Sequence, residues 1–216
     1  MGYEEELGLD SEKALQLTYK LICATGMSKG EKIEKLKALV ERMVGALGEE
    51  NVVTLDTLNT LGVMLKNNGE YEEARKVYER CVAGQEKVLG EYHKDTLATV
   101  TNLGVAYNRL KDYEKALECY ERALKGSEKT LGKTHPETLV TVMNIANVYN
   151  VGSENYGKAE ELYQRALEGY EAQLGNDHIE TMRCAENYRE CLKSSGNSAG
   201  LIELKRSHPN VESYDT

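Results

Sequence analysis

A Leu-Gly pair recurs at Leu7-Gly8, Leu47-Gly48, Leu89-Gly90, Leu131-Gly132 and Leu174-Gly175, in steps of 40, 42, 42 and 43 residues. Self-similarity at such a period points to stacked units that bury their apolar faces against neighbours, a solenoid rather than one globular core. In the three central units the register holds almost residue by residue. Leu61, Leu103 and Ile145 correspond, as do Gly62, Gly104 and Ala146. The second half of each unit matches in the same way: Tyr71, Tyr113 and Tyr156; Ala74, Ala116 and Ala159; Tyr78, Tyr120 and Tyr163.

Each unit reads as two helices. In one of them Leu97, Val100, Leu103, Gly104, Tyr107 and Leu110 form a stripe of helical period, which Lys111-Asp112 interrupts. A second stripe, Tyr113, Ala116, Leu117, Tyr120, Ala123 and Leu124, runs to Leu131-Gly132, where glycine suits a left-handed helix end. Small residues at Gly104 and Ala116 let the two axes approach, and the tyrosine rings fill the space beside them. This placement explains how a chain with only two prolines tolerates 19 glycines. The third full unit has one extra residue in its turn, Gly152-Ser153-Glu154-Asn155, so a bulge is expected there.

These residues carry a resemblance. Leu103-Gly104, then Tyr107, then Ala116 and Tyr120 are similar to the tetratricopeptide repeat pattern. The period of about 42 residues and the linker His135-Pro136-Glu137-Thr138-Leu139 resemble the long tetratricopeptide repeats of kinesin light chains and of sensor arrays in nucleotide-binding signalling proteins. Leu58, Val100 and Val142 replace the aromatic that often begins the motif, and the helix-ending proline is absent. The resemblance implies an all-α, right-handed superhelical solenoid of about ten helices, residues 1–216 forming a single array. Its units would be a degenerate N-terminal repeat over 7–46, full repeats over 47–88, 89–130 and 131–173, and a degenerate capping repeat over 174–216. Terminal repeats meet water on one face, which accounts for their decay.

Composition narrows the function. Twenty-seven Lys and Arg against 36 Asp and Glu leave a formal charge of -9, a field that repels nucleic-acid phosphates and anionic lipids. No apolar run approaches a membrane span, and Tyr3, Glu4, Glu5 and Glu6 stand where a signal peptide needs basic and apolar residues. Five cysteines without a C-x-x-C pair fit reduced thiols and a cytoplasmic location.

Little in the sequence suggests catalysis. His93, His135 and His178 occupy equivalent positions, but stacked repeats hold equivalent atoms about 10 Å apart, whereas zinc needs nitrogens at about 2.1 Å. They read as linker residues that cap or pack at the start of a first helix. Cys184 and Cys191 lie about 10.5 Å apart along one helix, too far for a disulfide. No phosphate loop, nucleophile elbow, zinc-helix motif or calcium loop appears, so no catalytic residue, metal or cofactor is expected.

What remains is the inner surface. In the tetratricopeptide family ligand contacts come from the first helix of each pair, and the resemblance carries these onto Asp56, Asn59, Val63, Lys66 and Asn67, then Ala98, Thr101, Val105, Asn108 and Arg109. Val140, Met143, Asn147 and Asn150 follow, then Met182, Glu186, Glu190 and Lys193. These positions vary between units while the packing positions repeat. Ten of them, Asn59, Val63, Asn67, Thr101, Val105, Asn108, Arg109, Met143, Asn147 and Asn150, are the candidate peptide-binding set. Their asparagines both donate and accept, which suits the backbone of an extended peptide. The alternative is an ordinary hydrated polar face. Asn102, Asn144 and Asn187 form a separate recurring set that reads as interhelical hydrogen-bonders. The expected protein is a scaffold binding a partner's peptide, a monomer with room for weak self-association. The alternative is a structural or sensor region packing on another domain or on itself.

Overall fold

The computed structural model describes residue 8 and residues 10–152 and 154–209. Leu7, Ser153 and the outermost terminal positions of the expected repeats lie outside them. All regular structure among the described residues is helical: α1 (Glu12–Ala24), α2 (Lys29–Leu47), α3 (Val52–Asn67), α4 (Tyr71–Val88), α5 (Lys94–Arg109), α6 (Tyr113–Thr130), α7 (Pro136–Val151), α8 (Tyr156–Leu174), α9 (Ile179–Ser195) and α10 (Ser198–Ser207). Ten helices at the expected positions bear out the all-α reading. The chain divides into two compact units after Leu110.

The helix starts are set by side chains that satisfy orphan backbone donors. Ser28 and Glu31 form a reciprocal capping box at α2. At the repeat linkers the histidines take this role: the backbone N–H groups of Asp95, Glu137 and Glu180 donate to the Nδ1 atoms of His93, His135 and His178 at 3.3, 3.3 and 3.2 Å. Pro136 fits the first helical position because no partner exists there for a backbone N–H. Three buried threonines close the same linkers, with Thr96, Thr138 and Thr181 hydroxyls donating to the carbonyls of Gly90, Gly132 and Gly175 at 2.9, 2.8 and 2.7 Å.

The Leu-Gly glycines hold positive φ, but not in the expected left-handed helical form. Gly48 sits at φ 89, ψ 159 and Gly175 at φ 86, ψ 166, an extended region open essentially to glycine alone. Such a residue redirects the chain into the next linker instead of curling it back on the helix. The true left-handed end is Gly196, at φ 73, ψ 18.

In the first unit α1 pairs with α2, α3 with α4, and α5 packs on α4. Glycine sets the closeness of α3 and α4: a Cβ built on Gly62 would stand 2.5 Å from the Tyr78 ring, and one on Gly84 2.4 Å from Leu55 Cδ2. Tyr78 is fully buried, as the register requires, and burying a ring of this size is worth about 1.5–3 kcal/mol. In the second unit α6 packs on α7, α7 pairs with α8, α8 with α9, and α9 with the short α10. Gly169 repeats the Gly84 contact against Leu139, at 2.7 Å. The core there gathers Leu139, Val142, Ala146, Tyr163, Tyr170 and Leu192.

Three turns between consecutive helices share one position of positive φ. Gly69, Lys111 and Glu154 all have positive φ, at 85, 63 and 51°. The extra residue of the third turn widens the hydrogen bond that closes it: Glu70 N–H reaches back to Leu65 O, whereas Asn155 N–H reaches Tyr149 O.

Candidate functional site

In the first unit the candidate surface is the face of α3 and α5 that points away from the packed leucines. On α3, Asp56 and Asn67 are exposed, while Asn59, Val63 and Lys66 are half-buried. On α5, Thr101, Val105 and Asn108 are half-buried, and Ala98 and Arg109 are exposed. Three polar contacts tie the successive first helices together. The Tyr19 hydroxyl of α1 meets Thr60 Oγ1 at 2.9 Å, Lys66 Nζ donates to Asn102 Oδ1 at 2.8 Å, and Thr99 Oγ1 stands 3.5 Å from Asn59 Oδ1. Asn102 is therefore an interhelical partner, as its register suggested. Thr101 donates to Leu97 O at 2.9 Å within its own helix, which leaves its oxygen free only to accept.

Two charges on this face feel their surroundings. Partial desolvation, and then the neighbouring Asp95 carboxylate, raise the Asp56 pKa above its ordinary value. Desolvation lowers that of Lys66. Both shifts disfavour the charged form.

In the second unit the first helices are α7 and α9. Met143 is a correction to the expected set: it is 4% exposed and belongs to the core cluster, where Asn187 Nδ2 points at its sulfur at 3.6 Å. A flexible thioether fills the space that a stiffer side chain would leave between α7 and α9. Asn147 is half-buried, and its Oδ1 accepts from the Tyr163 hydroxyl, so only its amide nitrogen is left to offer a ligand. Asn150 is half-buried with Oδ1 buried and without a hydrogen-bond partner. On α9, Met182 and Glu186 are half-buried, and Glu190 and Lys193 are exposed and paired with each other at 3.0 Å.

The Asn147 position also explains an orphan in the first unit. Val63 occupies the equivalent place on α3, and the hydroxyl of Tyr78, the counterpart of Tyr163, is buried with no partner.

No group of three or more His, Cys, Asp or Glu side chains among the described residues is arranged to hold a metal ion. The linker imidazoles face backbone N–H groups. Burial pushes the Cys81 and Cys184 thiols up to about 12 and Cys191 up to about 11, away from nucleophilic thiolate. None of the five cysteines forms a disulfide. No helix among the described residues is long and apolar enough to cross a membrane.

Sequence reading missed three features. Tyr19 meets Thr60 of the next first helix, although the degenerate N-terminal repeat over 7–46 lacks the internal signature. Gly84 and Gly169, 85 residues apart and bracketing Gly126, were legible as a second recurring glycine. The threonines six residues after the last four Leu-Gly glycines, Thr54, Thr96, Thr138 and Thr181, were legible too.

A family model described as Tetratricopeptide repeat matches residues 53–129 and again 95–172, together more than half of the chain. Among curated protein sequences none matches significantly. Solved structures do. A Podosopora anserina putative kinesin light chain with nearly identical TPR-like repeats superposes with TM-score 0.76 at 22% identity, over 94% of this chain and 97% of that one. MamA from Desulfovibrio magneticus gives 0.69 at 15% identity, over 97% and 99%. BtubC (BKLC) from P. vanneervenii gives 0.61 at 16% identity, over 98% and 93%. At these identities the likeness is one of fold.

Proposed function

Because the chain belongs to the tetratricopeptide repeat family, we propose that it is a non-enzymatic protein–protein interaction module whose first-helix faces bind a peptide segment of a partner protein, with residues 1–216 acting as a single array. The observation that carries this reading is the division of labour on α3 and α5. Leu58, Leu61, Gly62, Val100, Leu103 and Gly104 recur and are buried, whereas Asn59, Val63, Asn67, Thr101, Asn108 and Arg109 vary or stay accessible. A constant scaffold with an irregular polar face suits a non-repetitive peptide.

The contact residues of this reading are Asn59, Val63, Asn67, Thr101, Val105, Asn108 and Arg109 in the first unit. In the second they are Asn150 and the amide nitrogen of Asn147. Cytosolic residence agrees with five cysteines outside any disulfide, and a net charge of -9 argues for protein over nucleic acid or membrane as partner.

The test begins with crosslinking and mass spectrometry to locate the bound segment, which is then synthesised and titrated calorimetrically. Val63→Glu with Asn108→Ala should weaken binding at least tenfold with unchanged helical circular dichroism. Unchanged affinity refutes the face. Asn147 is a poor choice for this purpose, since its removal also strands the Tyr163 hydroxyl.

One observation favours the second reading, packing on another domain or another copy. Leu17 and Leu21 on α1 are 44% and 65% exposed beside a groove of about 330 Å³ lined by Ile22, Met27, Ala38 and Leu39. Sedimentation at rising concentration separates the two: self-association abolished by Leu21→Glu supports the second reading, and a monomer that binds the peptide supports the first.

A further inference from the structure

Charge is distributed unevenly over the first unit. Around its second helices opposite charges meet: Lys37 Nζ lies 2.7 Å from Glu73, Arg75 Nη1 2.7 Å from Glu79, Arg80 Nε 2.8 Å from Glu49, and Lys87 Nζ 2.8 Å from Glu50. The first-helix face is different. Among the described residues no basic group lies within ion-pair distance of Asp56, and no carboxylate lies within that distance of Lys66. Asp56 has a second carboxylate, Asp95, as its charged neighbour, and the Lys66 ammonium leans on a neutral amide oxygen.

Asp56 is exposed and Lys66 half-buried, and neither has a countercharge within ion-pair distance among the described residues, so both remain open to charges that a ligand supplies. Their placement gives them a geometry. Ten residues separate them, about 15 Å along the helix at 1.5 Å per residue, and ten steps of 100° bring the two positions back to within about 80° of each other. The face is therefore acidic toward the start of α3 and α5 and basic toward their ends, where the exposed Arg109 also stands. An extended peptide rises about 3.3 Å per residue, so 15 Å corresponds to four or five residues.

Resting on the groove reading above, we infer that the first unit recognises an extended peptide bearing a Lys or Arg at the Asp56–Asp95 end and an Asp or Glu four or five residues away at the Lys66 end. Each end supplies the countercharge that the fold withholds, which gives register and orientation as well as attraction. The partner class is a zwitterionic peptide rather than a uniformly acidic one.

A random decapeptide display library selected on the full chain tests this. The selected peptides are then measured by fluorescence anisotropy against the wild type, Asp56→Lys, Lys66→Glu and the double variant. Wild-type binders should be enriched in opposite charges at that spacing. Each reversal should lower their affinity at least tenfold, and the double reversal should bind synthetic peptides with the two charges exchanged. Asp56→Asn and Lys66→Gln carry the test with a smaller loss if a reversal disturbs folding. Binders that Val63→Glu abolishes but that carry no such charge pair, or that tolerate both reversals within twofold, overturn the inference and leave the groove reading standing. Recovery of no binder, or binders indifferent to Val63→Glu, defeats the groove reading and this inference with it.

Discussion

Replacing threonine by valine at two equivalent linker positions should give opposite results. Thr138 and Thr54 are each fully buried, six residues after a Leu-Gly glycine. Thr138 donates to Gly132 O at 2.8 Å, while the Thr54 hydroxyl has no partner among the described residues, in the one full-repeat linker capped by Asn51 instead of histidine. Thr138→Val keeps the shape, loses a hydrogen bond worth about 0.5–1.5 kcal/mol net, and leaves the Gly132 carbonyl underserved, for a total near 2 kcal/mol. Thr54→Val removes a dehydrated hydroxyl that costs about 1–3 kcal/mol and gives up nothing in return. Helix propensity hardly separates the two residues. For a chain of this size 1 kcal/mol is about 2–4 °C in melting temperature, so Thr138→Val should melt about 4–8 °C lower and Thr54→Val about 2–12 °C higher. Thermal circular dichroism reads the shifts, and hydrogen exchange at the start of α3 and of α7 localises them, since stacked repeats need not unfold in one step. Equal destabilisation by both substitutions would falsify the linker accounting.

Gly62→Ala should destabilise by about 1–3 kcal/mol because its Cβ meets the buried Tyr78 ring at 2.5 Å, whereas Gly45→Ala, with nothing within 4 Å, should stabilise by about 0.5–1 kcal/mol; urea titration checks both. Native Ellman titration should label exposed Cys23 first and leave Cys81 and Cys184, with thiols pushed up to about 12, unlabelled until denaturant is added. Those thiols and the buried Tyr78, Tyr163 and Tyr170 all have pKa values raised by desolvation, so the folded state holds protons that the unfolded state releases. Stability is therefore complete below about pH 8.5, where unfolded thiols begin to ionise, and should fall from there toward pH 12; a flat melting temperature over pH 9–11 would contradict this.

The fold was legible because its determinants are short-range and recur. Tyr78, Tyr120 and Tyr163 are buried where the register put them, and the histidines cap the first helices they precede. What periodicity did not show was the kind of positive-φ backbone at the Leu-Gly pairs. A Leu-Gly pair announces a helix end, but ψ near 160° at Gly48 and Gly175 depends on where the next linker must go. Lys111 and Glu154 are illegible for a related reason. Glycine marks positive φ at position 69, but the other two turns impose it on ordinary residues that carry no such signal, at a strain of about 1–2 kcal/mol each.

The inner face was legible only in part, because variation between repeats has two causes that look the same in a sequence. A position can vary because each repeat meets a different portion of a ligand. It can also vary because its packing partner varies with it. Met143 is the second kind: its repeat counterpart Thr101 is half-buried on α5, yet on α7 the position is closed over and touched by Asn187. Asn147 stands between the two, since it varies against Val63 and Val105 but gives its carbonyl oxygen to Tyr163. The first unit shows the reverse side of that trade, where Val63 leaves the Tyr78 hydroxyl unpartnered beneath it. A residue whose polar group is already spent inside its own helix pair has less to give a peptide. Accessible, unsatisfied chemistry therefore separates ligand-facing positions from compensating ones better than variability does, and it is concentrated in the first unit, around Asp56, Lys66, Asn67 and Asn108.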